Sequence, residues 1–414
     1  MAEQISRRTF LGGALALGAT GIVQSAIGSS ASAAIVQPPN ATTLLPDTGK
    51  ILVIVTLYGG LDGLNTVVPY QDPSYYSIRG NVGIPAANVL PIAGGMGLHP
   101  ALTGTKALFD AGDVAIIRGV GYPNPNYSHF SSMDIWQSGS PSRDVTTGWI
   151  GRWLDHTGKS PLRALSVGPN LPLAFIGRHQ RASAITASAT PSSQLPPNDP
   201  TLVALYESLE RKRRGQTPLE VDVAESATDM LSVSRIVAQA LTQFPSPAKT
   251  FGSSAGTLGT QLGVVAQLIS AGLPTKVYGV DLGGFDSHSG EITSYSPLLG
   301  QLDASISGFF KAIQGSPLAS DVIMFVYTEF GRRVHPNASL GTDHGSGNVA
   351  FVIGSGVQGG MYGDQPSLTQ LDSNGSLLVT TDYRAIYSTL LDQVLDITPS
   401  AILPTSPAPI GFLK

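Results

Sequence analysis

The sequence predicts an open α/β sheet with buried parallel strands and functional residues at one edge. Residues 51–58 (I-L-V-I-V-T-L-Y) and 277–282 (V-Y-G-V-D-L) are continuous apolar runs rather than alternating ones. Such runs are typical of strands that helices cover on both faces. Each run is followed by Gly-Gly and then an aspartate, Asp62 or Asp286. Because these sheets bind ligands beyond the carboxyl ends of their strands, we expect both aspartates at the same edge.

Residues 1–34 have the features of a twin-arginine export signal. Arg7 and Arg8 lie in the motif S-R-R-T-F-L, and the apolar run that follows is rich in Gly, Ala and Leu. Small residues at 31–33 (A-S-A) predict a cleavage site. The apolar run is too short for a stable membrane span, so we expect none after cleavage. The predicted partner is therefore the Tat export machinery, and the predicted location is periplasmic or extracellular.

Composition excludes several classes of function. The chain has no cysteine, so disulfides, thiolate metal ligands and a cysteine nucleophile are excluded. Its net charge is −4, and no basic run follows the signal, which argues against nucleic acid as a partner. After a flexible lead-in over residues 35–50, we expect residues 51–414 to form one α/β domain.

The region after the first strand places a serine at the start of a helix. We predict a helix over 100–111, a strand over 113–121 and a second helix over 129–137. The loop P-N-P-N leads to Ser128, which is a candidate N-cap for the second helix. The same position suits a nucleophile or an anion, because free N–H groups and the helix dipole favour negative charge there. The sequence leaves both roles open.

The middle of the chain, from about 150 to 255, is predicted to form a lid-like, loop-rich helical excursion. Residues 161–201 are rich in Pro, Ser and Ala with short β-like segments. Helical periodicity covers 199–215 and 221–243. A further helix over 256–271 leads into the strand at 277–282.

The last third of the chain adds two buried strands with polar residues beside them. After a helix over 298–314, the strands are predicted at 321–328 and 350–354. Glu329 and Arg332 follow the first of these, and Asp343 with His344 precedes the second. Glu329 and Arg332 could form an ion pair or take part in catalysis, and we weigh the two alternatives equally.

Four polar clusters therefore lie beside four predicted strands. Carboxylate oxygens together with imidazole nitrogens are ligands for first-row metal ions, zinc most often. Their repeated location at strand ends, in a chain with seven histidines, predicts a hydrolase site with two cations. The clusters are Asp62; Asp286 with His288; Glu329 with Arg332; and Asp343 with His344.

The joint set of motifs resembles domain-of-unknown-function family 1501. The motifs are L-Y-G-G-L-D-G-L-N, Y-S-H-F, G-G-F-D-S-H, T-E-F-G-R, G-T-D-H-G and T-T-D-Y-R-A-I-Y, and they extend from about 51 to 397. That family is grouped with the sulfatases in the alkaline phosphatase-like superfamily. The resemblance implies a doubly wound, mostly parallel sheet with helices on both faces and one or two divalent cations at its carboxyl edge.

The resemblance also implies roles for individual residues. Asp62, Asp286, His288 and His344 match the positions of metal ligands. Where the superfamily has an Asp-His pair, this chain has Glu329-Phe330, which removes one histidine ligand.

A nucleophile is expected at a helix N-terminus, where Ser128 is the nearest candidate and Ser131 lies behind it. No Cys-x-Pro-x-Arg motif is present, so a formylglycine sulfatase is not expected.

The predicted activity is metal-assisted hydrolysis of a phosphate or sulfate ester, small or polymeric. One cation would activate the nucleophile, while a second cation or Arg332 would neutralise charge on the leaving side. The alternative is a non-catalytic secreted binding or accessory protein that keeps the fold with an incomplete metal site, which the departure at Glu329 favours.

Overall fold

The structure, a computed structural model, describes residues 49–142, 145–188, 190, 200–210, 217–244 and 246–414. These residues lie within one compact unit, Leu44–Lys414. The predicted export signal, and the lead-in except for Gly49 and Lys50, fall outside the described residues.

Twelve strands and eleven α-helices are described in this part of the chain. The strands are β1 Ile51–Leu57, β2 Val67–Val68, β3 Leu90–Pro91, β4 Gly97–Leu98, β5 Val114–Gly121, β6 Ala164–Val167, β7 Ser183–Ile185, β8 Val277–Leu282, β9 Val322–Thr328, β10 Asn348–Ile353, β11 Gly360–Tyr362 and β12 Thr381–Asp382. The helices are α1 Gly63–Thr66, α2 Pro73–Arg79, α3 Thr103–Asp110, α4 His129–Ser138, α5 Trp149–Thr157, α6 Pro200–Glu210, α7 Pro218–Gln243, α8 Ala248–Phe251, α9 Gly256–Ser270, α10 Glu291–Ile313 and α11 Tyr383–Gln393.

Nine of these strands form the main sheet, in the order β11-β5-β10-β9-β1-β8-β6-β7, with β12 beside β5. Within this sheet six of the described pairings are parallel, and the two antiparallel ones both involve β10. The remaining strands, β2, β3 and β4, form a small separate sheet. The mostly parallel sheet that the sequence predicted is confirmed.

Helices cover both faces of the main sheet. Alternate residues of β1 point to opposite sides: Val53 and Val55 belong to one core cluster, and Leu52 and Ile54 to another. Residues of α7, α9 and α10 complete the first cluster. Residues of α4, α5 and α11 complete the second. Burial on both faces explains why these strands are continuously apolar.

The middle section differs in part from the predicted excursion. Two of its segments, β6 and β7, are parallel strands that extend the main sheet beyond β8. They contain four and three residues, which is too short for periodicity to distinguish them from loop. Helix α7 packs against β7 and α9, so it lies on a face of the sheet. A lid role for the rest of this section stays a prediction.

No helix among the described residues has the length and apolar character that a membrane span requires.

One edge of the sheet collects the loops that matter for function. Because β1, β8 and β9 are parallel, and β5 runs in the same direction, their carboxyl ends lie together. Strand β10 runs the opposite way, so its amino end lies at this same edge. The segments that follow β1, β5 and β8 and the loop that joins β9 to β10 therefore meet there.

Candidate metal centre

Asp286 lies at the centre of a cluster of imidazoles at this edge. It follows β8 after Gly283-Gly284, and Gly59 approaches it from the end of β1. A Cβ atom at Gly59 would lie 2.4 Å from the backbone N of Asp286, and Gly59 has φ 118°, so only glycine suits this position. Burial acts to raise the pKa of Asp286, but the hydrogen bond from Arg332 and the contact with the His344 imidazole outweigh it and bring that pKa to about 2. The carboxylate is therefore ionised.

Three histidines direct their Nε2 atoms at this carboxylate. The Nε2 atoms of His288 and His344 lie 3.1 and 3.2 Å from Asp286 Oδ1. That of His129 lies 3.4 Å from Oδ2. His129 is the first residue of α4, which follows β5, whereas His288 comes from the loop after β8 and His344 from the loop before β10. The sheet topology therefore assembles the cluster from three separate segments.

Each imidazole is oriented through its other nitrogen. His129 Nδ1 lies 2.7 Å from Glu329 Oε1, and His288 Nδ1 lies 3.1 Å from Asp343 Oδ1. His344 Nδ1 lies 2.7 Å from the carbonyl oxygen of Tyr127. A carbonyl or an ionised carboxylate can only accept, so each Nδ1 is the donor in these contacts, and a ring that holds its proton there has a lone pair on Nε2 for a cation. This is the arrangement that metal-binding histidines have in proteins.

The spacing of the Nε2 atoms suits a shared proton or cation. Those of His288 and His344 lie 2.9 Å apart, and two lone pairs at that distance repel unless a proton or a cation lies with them. The buried Nε2 atom of His129 has no hydrogen-bond partner in the described part of the chain. Ligand atoms of His129, Asp286 and His344 all lie within 4.8 Å of one another. Imidazole and carboxylate donors fit a divalent first-row cation.

The pKa values of two histidines shift in opposite directions. The hydrogen bond with Glu329 raises the pKa of His129, whereas burial lowers that of His344. A cation binds the unprotonated Nε2 atoms, so it competes with protons at this cluster.

Glu329 is a buried residue that positions His129. Its Oε1 also accepts a hydrogen bond from the backbone N of Gly59 at 2.9 Å, and its Oε2 accepts one from Thr328 Oγ1 at 2.7 Å. The predicted alternative of an ion pair with Arg332 is not formed, because the contacts of Glu329 go to His129 instead. In this structure Glu329 orients His129, and its role in catalysis stays a prediction.

Arg332 is fully buried and ties the loops of this edge together. It donates to the carbonyl oxygens of Gly60 (2.8 Å), Thr342 (2.8 Å), Phe285 (3.0 Å) and Gly59. One further bond, 2.8 Å long, goes to Asp286 Oδ1. Its charge therefore acts on Asp286.

Asp343, a predicted ligand, has a different position. Its Oδ1 accepts hydrogen bonds from His288 Nδ1 and from Asn337 Nδ2, the latter at 3.0 Å. The hydrogen bond from Asn337 is the main cause of the lowered pKa of Asp343. Asp343 therefore orients His288 rather than joining the Nε2 cluster, which corrects the prediction.

Asp62, another predicted metal ligand, lies instead in a buried ion pair with Arg79. Its Oδ2 is 2.5 Å from Arg79 Nη1, and its Oδ1 is 2.9 Å from Arg79 Nη2. As N-cap of α1, Oδ1 also accepts from the backbone N atoms of Leu64 (3.0 Å) and Asn65 (3.3 Å). Burial acts to raise the pKa of Asp62, but Arg79 outweighs it and the pKa is lowered. Both oxygens of Asp62 are therefore engaged by protein groups in this structure.

An open cleft of about 420 Å³ begins at the imidazole cluster and continues along α4. Beyond the cluster, its lining residues are Tyr58, Phe130, Met133, Asp134 and Gln137. A larger cavity, about 650 Å³, lies between α3 and α10, and no histidine lines it. The smaller cleft is the one that gives access to the cluster.

A family model described as "Protein of unknown function (DUF1501)" matches residues 115–395 of the chain. The chain belongs to this family. The membership that the motifs predicted is confirmed.

Several solved structures show a remote likeness to this DUF1501 chain. A protein in the alkaline phosphatase superfamily from Vibrio parahaemolyticus is 12% identical with a TM-score of 0.37, over 84% of this chain and 67% of that one. The PsFucS1 sulfatase from Pseudoalteromonas sp. is 10% identical with a TM-score of 0.39, over 88% of this chain and 74% of that one. The phosphonate monoester hydrolase SpPMH from Silicibacter pomeroyi is 12% identical with a TM-score of 0.33, over 83% of this chain and 73% of that one. No curated protein matches the chain.

The DUF1501 motif Y-S-H-F contains both the predicted nucleophile and a residue that sequence reasoning missed. Ser128 is the N-cap of α4 by its backbone angles, but it is exposed and its hydroxyl makes no cap hydrogen bond. The side chain that enters the cluster is that of His129. Its position directly after a helix N-cap, beyond the carboxyl end of β5, was the available signal. Ser128 as a nucleophile stays a prediction.

Proposed function

We propose that this DUF1501 protein is an exported hydrolase of phosphate or sulfate esters that binds one divalent cation, zinc first among the candidates. The proposed ligands are Asp286 and the Nε2 atoms of His129, His288 and His344. The observation that carries the proposal is the convergence of three oriented imidazoles on one ionised carboxylate. One cation rather than two follows from the engagement of Asp62 by Arg79.

The residues around the ligands would do three things. Glu329, Asp343 and the Tyr127 carbonyl keep each histidine proton on Nδ1, so that Nε2 keeps its lone pair for the cation. Arg332 fixes Asp286 through one of its oxygens. The buried ring of Phe330 packs 4.9 Å from the ring of His129 and 4.7 Å from that of His344, which shields one side of the cluster from water. A bound divalent cation supplies electrophilic stabilisation of an ester oxygen.

The proposed nucleophile is Ser128, with an exposed hydroxyl next to His129. At the start of α4 it precedes free backbone N–H groups, which suit a developing negative charge. Arg332 is assigned a positioning role, because its donors are bonded to backbone carbonyls and Asp286.

A second candidate function is a non-catalytic binding or accessory protein. The specific observation in its favour is the closed Asp62–Arg79 pair, which leaves a single cation position. In that case the cluster would bind a cation and an anionic ligand without turnover.

Elemental analysis of the mature protein purified from the periplasm tests the proposal. We expect about one divalent cation per chain, reduced to near zero by His129→Ala and retained by the exposed control His179→Ala. No bound cation would overturn the proposal, and two per chain would overturn the single-cation assignment. An ester screen then separates the functions, since a cation-loaded protein that hydrolyses no phosphate or sulfate ester supports the binding protein.

Export is tested separately. Replacing Arg7 and Arg8 by Lys should leave precursor in the cytoplasm, because the machinery reads the arginine pair. Normal accumulation of mature protein outside the membrane would contradict export by this route.

A further inference from the structure

The cleft beside the imidazole cluster is shaped by one face of helix α4. Phe130, Met133, Asp134 and Gln137 are spaced i, i+3, i+4 and i+7, so they form a continuous stripe along the helix. His129, whose Nε2 belongs to the cluster, directly precedes the first residue of this stripe. A group attached to a ligand at the cluster would therefore lie along α4.

The walls of this cleft are largely apolar. Phe130 is 86% exposed, although Met133, one turn further along, is buried. At the other end Gln137 Nε2 donates to the hydroxyl of Tyr58 over 3.3 Å. Burial, helped by the charge of Asp281, raises the pKa of Tyr58 to about 12, so the ring ends in a neutral hydroxyl. A flat ring could stack on Phe130 and still reach polar atoms at the far end.

The charged groups that line the cleft are carboxylates. Asp134, Asp286 and Glu329 line it, and the described lining residues include no Lys or Arg. Asp286 is compensated by Arg332, and Glu329 by its hydrogen bonds with His129 and Gly59. Asp134 has no ion pair or hydrogen bond with any other described side chain. It is therefore the charge that a group lying along α4 would meet.

We propose that this cleft is the subsite for the organic group of the ester, and that it accepts a ring-bearing group that is neutral or positively charged. A group with a second negative charge is excluded by Asp134, because like charges brought together in a confined site cost binding energy. This inference rests on the proposed function and adds to it the class of substrate.

Equilibrium binding to the zinc-loaded mature chain tests the subsite without requiring turnover. The probes are inorganic phosphate, phenyl phosphate, 4-carboxyphenyl phosphate and 4-(aminomethyl)phenyl phosphate, with the corresponding sulfates in parallel. Phenyl and aminomethylphenyl esters should bind more tightly than the inorganic anion, and the carboxyphenyl ester about tenfold more weakly than the phenyl ester.

Two variants assign these differences to residues. Asp134→Asn should bring carboxyphenyl binding to the level of phenyl binding, whereas the exposed control Asp392→Asn should not. Phe130→Ala should remove the advantage of phenyl ester over inorganic anion, and the exposed control Leu219→Ala should keep it.

The outcomes distinguish the two proposals. A chain that binds no cation, or a loaded chain that binds none of these anions and esters, overturns the proposed function and the subsite with it. A loaded chain that binds phenyl and carboxyphenyl esters equally overturns the subsite alone. The subsite is also overturned if the two esters bind unequally and Asp134→Asn leaves the ratio of their affinities unchanged, because the discrimination then comes from another residue.

Discussion

Asp62 and Asp286 occupy equivalent places in the sheet and have different surroundings. Each follows a Gly-Gly pair at the carboxyl end of a strand, and those strands, β1 and β8, are parallel neighbours. Each carboxylate also bonds to a buried arginine. Yet the side chain of Asp62 is 1% exposed and that of Asp286 is 47% exposed.

The difference lies in how each arginine uses its donors. Arg79 gives both of its Nη atoms to Asp62, and backbone N–H groups add two more bonds. Arg332 donates most of its hydrogen bonds to backbone carbonyl oxygens and donates one to Asp286, at Oδ1. Oδ2 of Asp286 therefore faces His129. A carboxylate at a strand end becomes a candidate ligand only when its arginine leaves an oxygen available.

The largest expected effect comes from breaking the closed pair. Arg79→Met would leave an ionised carboxylate buried without its partner, and we expect a loss of about 3–5 kcal/mol in the free energy of unfolding. Chemical denaturation measures it. The control Lys106→Met breaks an exposed i, i+4 pair with Asp110 and should cost less than about 1 kcal/mol. Similar losses in the two variants would mean that Asp62 is solvated rather than closed.

A pH dependence should come from the same closed region. Burial, and then the charge of Asp62, raise the pKa of Glu291 to about 8 from an ordinary value of 4.5. Since the folded-state pKa is the higher one, the stability contributed by the protonated acid is complete below about 4.5 and is lost as pH rises towards 8.

The measurement is the melting temperature between pH 5 and 8. Glu291→Gln resembles the protonated acid and should flatten this part of the profile. The effect should be smaller than that of Arg79→Met, because a glutamine leaves no unpaired charge in the buried region. Parallel profiles for wild type and variant would contradict the assignment.

The sheet and most of its strands could be predicted from the sequence, because strands buried on both faces are continuously apolar. Strand β8 has the predicted bounds, and β1 and β9 differ by one residue at one end. The same reasoning placed Asp286, His288 and His344 at one edge. It could not separate Asp62 from Asp286, because Arg79 comes from a different helix and no local pattern shows its direction. It missed His129, because helix-start signals draw attention to the capping residue rather than to the next one.

The open cluster can be compared through its two supporting carboxylates. Glu329 is buried, whereas the side chain of Asp343 is 41% exposed and also accepts a hydrogen bond from Asn337. Glu329→Gln should weaken cation affinity by about 10–100-fold, as expected for a buried partner of a histidine ligand. Asp343→Asn should weaken it by less than about tenfold, because solvent replaces much of its support. Competition with a chelator at fixed pH measures both, and equal effects would show that burial does not matter here.

The smallest expected effect on stability and cation affinity is that of Ser128→Ala. A capping serine typically contributes about 0.5–2 kcal/mol, but Ser128 is exposed and makes no cap bond, so the free energy of unfolding should change by less than about 0.5 kcal/mol. Cation affinity should also be unchanged, because the proposed ligand is His129 rather than Ser128. The matched control is Ser132→Ala, since the buried hydroxyl of Ser132 donates to the Glu329 carbonyl at 2.6 Å. Losing that bond should cost about 1–3 kcal/mol. Ester hydrolysis then decides the role of Ser128: full turnover in a stable, cation-loaded Ser128→Ala protein would rule it out as the nucleophile, whereas loss of turnover alone would support it.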